Sequence, residues 1–182
     1  MTSDERCRSF DEVYETIPGT GWLTRPEADL LWRVSGRLPG RIIEVGAYHG
    51  RSTVLLAAHG RPVIAIDPFS GFDSDDPTGE STYEKFVSNL LCRGIRNVEL
   101  IRRRVEDVSA TPGAGFAYLD GDHTYEGTMA QIGFACACGA EEVCIHDFVD
   151  SGGGAEVVRA ARDWRLEVVE VVERMAHCRI GP

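Results

Sequence analysis

The sequence has no apolar run that approaches the roughly 20 residues needed to span a membrane. It is also short of positive charge: 19 lysines and arginines stand against 29 aspartates and glutamates, for a formal net charge of -10. General affinity for nucleic acid or for anionic membranes depends on cationic side chains. We therefore expect neither nucleic acid nor a membrane among the partners of this protein.

Paired C-x-x-C knuckles, which are typical of zinc sites, are missing as well. Of the six cysteines only Cys136 and Cys138 are close in sequence, as C-x-C. The first residues, MTSDERCRSF, are polar and acidic and do not resemble a signal peptide. The expectation is a cytoplasmic protein with reduced, mostly buried thiols.

The 182 residues contain no internal repeat, low-complexity segment or linker, which predicts one domain over 1–182. Short apolar runs alternate with helix-like segments. The predicted strands cover 41–46, 62–67, 97–101, 116–120 and 142–147, followed by LEVVEVV and MAHCRI around a turn at Glu173-Arg174. The predicted helices cover 29–35 (after the start signal TRPE), 52–59, 81–93, 124–138 and 155–164, with an acidic loop over 71–79.

Strands that are apolar almost throughout and alternate with helices indicate a parallel sheet covered by helices on both faces. The predicted fold is thus a doubly wound α/β fold, with a mostly parallel seven-stranded sheet and an antiparallel strand at one edge. A helical segment, 1–40, would precede an α/β core, 41–182. Ligands of such sheets bind beyond the carboxyl ends of the strands.

A glycine-rich turn, EVGAYHGRST, follows the first predicted strand. Gly46 and Gly50 let the backbone turn tightly and approach a ligand, so that a side chain at Gly46 is expected to collide with it. Asp67 ends the second strand roughly twenty residues later, where an acid can bind ribose hydroxyls. Either feature alone is equally well explained by a plain turn and a capping aspartate, but together they favour nucleoside binding.

The fingerprints of phosphate-bearing nucleotides are absent. G-x-G-x-x-G is replaced by GAYHG, with Tyr48 where the middle glycine gives room to a pyrophosphate, and there is no G-x-x-x-x-G-K-[ST]. A ligand with a ribose but no phosphate fits better, and S-adenosylmethionine (SAM) is such a ligand.

The stretch FAYLDGDHTYEG places Asp120, Asp122 and His123 directly after a predicted strand, and CIHDF places His146 and Asp147 after the next one. Clusters of titratable groups at strand ends are frequent in active sites. The structural alternative is that His123 only caps the following helix and bonds Asp122.

EVGAYHGRST, AIDPFSGF, YLDGDHTYEG and CIHDF together resemble the class I SAM-dependent methyltransferases, and among them the small macrocin-type and cephalosporin-pathway O-methyltransferases. The resemblance extends from GWLTRPEADLLW to MAHCRI. It implies a Rossmann-like methyltransferase fold, SAM as cofactor and methyl transfer to a hydroxyl of a small molecule such as a sugar or secondary metabolite. The cofactor-binding residues that it implies are Glu44, Gly46, Ala47, Tyr48, Gly50, Ser52, Thr53, Asp67, Arg103 and Asp120.

The resemblance also implies catalytic roles for Asp120 and His123, with His123 as the base. A divalent metal such as Mg²⁺ or Mn²⁺ would be held by Asp120, His146 and Asp147. The relatives have an acidic pair where this chain has His146-Asp147, and Mg²⁺ favours an all-oxygen shell, whereas Mn²⁺, iron or zinc tolerates an imidazole. A metal-free site is the alternative.

Two other functions stay open from the sequence. One is a nucleotide-dependent oxidoreductase on the same kind of sheet, and the other is a non-catalytic SAM-binding partner subunit. Because the chain has no long insertion to build an acceptor pocket, a homo-oligomer is a further expectation.

Overall fold

A computed structural model describes residues 9–70 and 81–181. Cys7 and the loop predicted over 71–79 lie outside the described residues. In the described part of the chain, no helix combines the length and the apolar character that crossing a membrane requires.

The described residues form one seven-stranded sheet in the order β3-β2-β1-β4-β5-β7-β6. Its strands are β1 (Arg41–Val45), β2 (Val63–Ile66), β3 (Val98–Ile101), β4 (Ala114–Leu119), β5 (Glu142–Ile145), β6 (Glu167–Val172) and β7 (Met175–Arg179). The α-helices are α1 (Phe10–Tyr14), α2 (Arg25–Arg37), α3 (Arg51–Ala57), α4 (Thr82–Leu91), α5 (Tyr125–Ala137) and α6 (Gly154–Asp163). A 3₁₀ helix covers Val105–Asp107.

The predicted architecture is confirmed: β1 to β5 are mutually parallel and the closing hairpin is antiparallel. Within this hairpin β7 lies between β5 and β6, so that the outermost strand is β6. The helix predicted over 29–35 starts earlier, at Arg25, because Thr24 and Glu27 form a capping box. The short helix α1 lies within the predicted helical segment, 1–40, but no bounds were predicted for it. The division at residue 40 stays a prediction.

Adjacent residues of β1 show how the two faces of the sheet are covered. Ile42 packs in a cluster with Leu31 of α2 and Leu55 of α3. Ile43, whose side chain points to the opposite face, packs in another cluster with Ile132 of α5. All five side chains are fully buried. Burial of both faces explains why the strands are apolar almost throughout.

The strand order reverses at β1. The chain runs outward from β1 to β2 and β3 and then returns to β4 on the other side of β1. At such a switch point the loops after the two neighbouring strands diverge and leave a crevice. The backbones of β1 and β4 stay hydrogen-bonded up to the rim of this crevice, where Asp120 N donates to Val45 O (2.8 Å).

Candidate active site

A cavity of about 760 Å³ lies beyond the carboxyl ends of the parallel strands. The loops after β1 to β5 all contribute to its wall, together with the turn between β6 and β7. Residues on the wall include Trp22, Gly46, Tyr48, Asp67, Phe69, Arg103, Asp120, His123, Gln131, His146, Asp147 and Arg174.

The Asp67 carboxylate holds the glycine-rich turn in place. Ala47 N and Tyr48 N donate to Asp67 Oδ2 over 2.8 and 2.9 Å. Phe69 N donates to Oδ1 over 2.7 Å. A carboxylate has about four acceptor sites, so Asp67 keeps capacity for a ligand on the cavity wall. Its placement is compatible with the predicted contact to ribose hydroxyls.

The conformation of Gly46 is set by the neighbouring strand. Its φ is +88°, and a Cβ built there would lie 2.1 Å from Asp120 O. A side chain at this position would therefore collide with the backbone that follows β4, and its predicted collision with the ligand stays a prediction. Gly46 thus allows the turn after β1 and the loop after β4 to touch.

Five of the predicted cofactor residues lie outside the cavity wall: Glu44, Ala47, Gly50, Ser52 and Thr53. Ser52 Oγ and Thr53 Oγ1 donate to the two oxygens of Glu44 over 2.5 and 2.6 Å. Burial raises the pKa of Glu44 to about 7, against the opposing effect of these hydrogen bonds. The three side chains tie β1 to α3, and their predicted contact with a cofactor stays a prediction.

Two carboxylates and two imidazoles meet at the ends of β4 and β5. His123 Nε2 lies 3.3 Å from Asp120 Oδ1 and 3.4 Å from Asp147 Oδ2. His146 Nδ1 lies 3.3 Å from Asp120 Oδ1 and 3.8 Å from Asp147 Oδ2. The predicted catalytic residues and the predicted metal ligands are therefore one cluster, which we call the acid–imidazole centre (Asp120, His123, His146 and Asp147).

Each carboxylate of the centre has one oxygen engaged by a partner outside the centre. Tyr118 Oη donates to Asp120 Oδ2 over 2.9 Å. Arg174 donates to Asp147 Oδ1 from Nε, over 2.8 Å, and from Nη2. The remaining oxygens, Asp120 Oδ1 and Asp147 Oδ2, both face the imidazoles, so the orientation of the two acids is fixed.

The charges of the centre depend on one another. Burial raises the pKa of Asp120, but hydrogen bonds from His123 and His146 outweigh it and lower this pKa to about 2. The hydrogen bond to Asp120 raises the pKa of His123. Burial lowers the pKa of His146, whereas its bonds to Asp120 and Glu27 raise it to about 10 overall. Ionised acids and protonated imidazoles thus stabilise each other.

The loop that carries His123 is held by other side chains. Thr124 is the N-cap of α5, where its side chain accepts from Gly127 N (3.1 Å). Asp122 accepts from Thr124 N (2.9 Å), and Gln131 Oε1 accepts from Gly121 N (3.0 Å). Capping of α5 thus falls to Thr124, and the His123 ring is turned towards Asp120 and Asp147.

The cluster also fits a divalent ion. Asp120, His146 and Asp147 each offer one ligand atom, and these atoms lie within 4.8 Å of one another. Two carboxylate oxygens and one imidazole nitrogen suit Mn²⁺ better than Mg²⁺, which prefers oxygen alone.

Sequence reasoning assigned no site role to Glu27 or Arg174. Glu27 belongs to the TRPE helix-start signal, and Arg174 was placed only in a predicted turn. Trp22, whose ring lies 5.2 Å from that of Tyr48, is 68% exposed on the cavity wall. A lone arginine carries no spacing signal by which its role could be found.

The strand order and the position of the cavity define the class I methyltransferase fold. No protein-family model and no curated protein matches the chain, but solved structures do. The O-methyltransferase TomG from Streptomyces achromogenes, involved in tomaymycin synthesis and in complex with SAM, is 15% identical, with a TM-score of 0.67 over 100% of this chain and 92% of TomG.

Two further structures agree with this assignment of the fold. The methyltransferase PaMTH1 of Podospora anserina, with S-adenosylhomocysteine (SAH) bound, is 12% identical, with a TM-score of 0.69 over 95% of this chain and 88% of that one. The O-methyltransferase from Bacillus cereus, in complex with SAH, is 13% identical, with a TM-score of 0.63 over 94% and 90%. At such identities the likeness is one of fold.

Proposed function

We propose that this protein is a SAM-dependent methyltransferase that acts on a hydroxyl group of a small molecule. The main support for the proposal is that a candidate cofactor site and a candidate catalytic site line the same cavity. The turn held by Asp67 lies on its wall, and so does the acid–imidazole centre. The known methyltransferases of the same fold, among them the O-methyltransferases TomG and that of Bacillus cereus, support this assignment.

The residues divide into a cofactor end and an acceptor end. Gly46, Tyr48 and Asp67 would hold the methionine and ribose parts of the cofactor, and Arg103 would lie beside its adenine. When bound, SAM supplies an electrophilic methyl group on a cationic sulfur. At the other end, Asp120 would accept a hydrogen bond from His123 Nε2 and so orient the imidazole, whose other nitrogen, Nδ1, would take the proton of the acceptor hydroxyl.

A divalent ion, Mn²⁺ in preference to Mg²⁺, is part of the proposal. Asp120 Oδ1, Asp147 Oδ2 and His146 Nδ1 would hold it, since these atoms face one another. When bound, such an ion lowers the pKa of an acceptor hydroxyl and orients it. His146 has to release the proton from Nδ1 on binding, so affinity for the ion should rise with pH.

Calorimetric titration with SAM, S-adenosylhomocysteine and NAD tests the cofactor directly. We expect heat with the first two and none with NAD, because the Tyr48 ring occupies the wall where a pyrophosphate would need space. Binding of NAD alone would make the protein an oxidoreductase. Binding of SAM without turnover on a broad panel of hydroxylated compounds would make it a non-catalytic partner.

Asp67→Ala should weaken SAM binding by roughly 1.5–3 kcal/mol, the range for lost hydrogen bonds to a charged group. The substitution also frees Ala47 N and Tyr48 N, so the turn itself should loosen. Calorimetry gives the affinity. Asp107→Ala, which removes an exposed acid next to but outside the cavity wall, is the matched control for the change in charge. An Asp67 variant with unchanged affinity would mean that the ribose binds elsewhere.

Exhaustive chelation should abolish turnover, and added Mn²⁺ should restore it. Asp120→Asn and Asp147→Asn should remove this dependence together with the activity, since each loses a charged ligand. Turnover is measured before and after chelation. Full activity in chelator would show that the ion is not needed, and that Asp120 and Asp147 either hold the cofactor or orient His123 and His146 directly.

A further inference from the structure

Glu27, on the first turn of α2, is fully buried although it is an acid. Its side chain reaches the inner side of the acid–imidazole centre, away from the cavity. Glu27 Oε2 lies 3.4 Å from His146 Nε2, and Oε1 accepts from Arg174 N over 3.0 Å. Oε2 also accepts from Thr24 N and Thr24 Oγ1, both at 3.0 Å. One buried carboxylate therefore joins α2, the end of β5 and the turn before β7.

This arrangement differs from ordinary helix capping. Helices α1 and α4 have the same capping box, formed by Ser9 with Glu12 and by Ser81 with Glu84. Those bonds are exposed to solvent and do not involve the site. Burial of a charged group is unfavourable unless it is paired and hydrogen-bonded. Capping alone therefore does not account for a fully buried Glu27, whereas its contacts with His146 and Arg174 do.

We propose that Glu27 is the positioning residue of the centre: it keeps a proton on His146 Nε2, so that Nδ1 points at Asp120 and Asp147 and is the nitrogen available to an ion. An ionised carboxylate only accepts hydrogen bonds, so the nitrogen beside it must be the donor. Partners of this kind fix the tautomer and the ring orientation of metal-binding histidines. The role at the ion rests on the proposed function.

The Glu27 carboxylate also acts on Asp147, indirectly through Arg174. Glu27 Oε1 holds the backbone of Arg174, and the Arg174 guanidinium in turn holds Asp147 Oδ1. Asp147 has a left-handed backbone (φ +55°), which is unusual for a residue other than glycine and needs support from its surroundings. With Tyr118 on Asp120, each of the three ligand side chains then has a partner behind it.

The test uses Glu27→Gln, with Glu12→Gln as the matched control, because both replace the acid of a capping box and only the first touches His146. Two properties are measured in the full chain: Mn²⁺ affinity by calorimetry, and the ¹H–¹⁵N signal of His146 Nε2–H in the metal-free protein. His146→Gln assigns that signal. Thermal melting shows whether each variant folds. If Glu27→Gln does not fold, Glu27→Asp, which keeps the charge on a shorter side chain, is used instead.

We expect Glu27→Gln to lose about 10- to 100-fold in Mn²⁺ affinity, the usual effect of removing such a partner, and to lose the exchange-protected Nε2–H signal. Glu12→Gln should keep both. Wild-type affinity and an unchanged signal in Glu27→Gln would overturn the proposal. If the wild-type protein binds no Mn²⁺, the metal part of the proposed function fails, and the Nε2–H signal alone decides whether Glu27 positions His146.

Discussion

Replacing His123 with alanine is expected to lower turnover about a hundredfold or more, the usual contribution of a positioned base, while SAM affinity stays nearly unchanged. The reason is its place in the cavity. His123 lies on the cavity wall, and its Nε2 lies within 3.4 Å of both Asp120 and Asp147, whereas the turn held by Asp67 is formed by other residues. Steady-state kinetics and calorimetry on the same variant separate the two effects.

The pH dependence of turnover gives a second, independent readout. Only the neutral imidazole can take a proton, and the hydrogen bond to Asp120 raises the pKa of His123 above its ordinary 6.5. Turnover should therefore increase as the pH rises through a value above 6.5, and this limb should be missing in His123→Ala. His59→Ala removes an imidazole outside the cavity wall and serves as the control. A fully active His123→Ala variant would contradict the assignment of the base.

Gly46→Ala should be the most destabilising single change in the cofactor turn. The added Cβ would lie 2.1 Å from Asp120 O and 2.4 Å from Asp120 C, and backbone atoms cannot move aside as a flexible side chain can. Overpacking costs about 1–3 kcal/mol or more, and the left-handed backbone adds about 1–2 kcal/mol. We expect a loss of about 3 kcal/mol or more in the free energy of unfolding, measured by urea denaturation.

Gly60→Ala separates the effect of the steric overlap from the effect of the left-handed backbone. Gly60 has a similar φ, +74°, but an added Cβ would meet nothing within 4 Å. Its substitution should therefore show the backbone effect alone, about 1–2 kcal/mol. Because the overlap in Gly46→Ala displaces Asp120, SAM affinity and turnover should both decrease even where the protein remains folded. Equal losses of stability in the two variants would show that the overlap is relieved without cost.

Two features could be predicted from the sequence: the strands, and the meeting of the motifs FAYLDGDHTYEG and CIHDF at the ends of β4 and β5. Every residue of β2 is buried, so its apolar run was an unambiguous signal. Asp120 and His146 meet because β4 and β5 are adjacent and parallel, which the alternation of elements already indicated. The strand order around β7 could not be found in this way, because LEVVEVV and MAHCRI fit either position in a hairpin.

The role of Glu27 could not be predicted for a different reason. A T-x-x-E signal is the same whether its glutamate ends in water or against a histidine. The bond between Glu27 and Arg174 joins residues 147 positions apart, and that to His146 joins residues 119 apart. No local pattern contains such a contact, because it depends on how α2 packs against the end of the sheet. The same holds for Gly46, whose neighbour Asp120 follows another strand, β4.

The insertion of β7 between β5 and β6 also has a consequence for how the protein folds. The turn after β1 and its anchor Asp67 use contacts within about a third of the chain, whereas Arg174 reaches Glu27 and Asp147 only after the last strand has paired. Contacts between distant parts of a chain form late, since the intervening loop must be closed first. During synthesis, the part of the cavity that is proposed to hold a nucleoside should therefore form before the part that is proposed to perform chemistry.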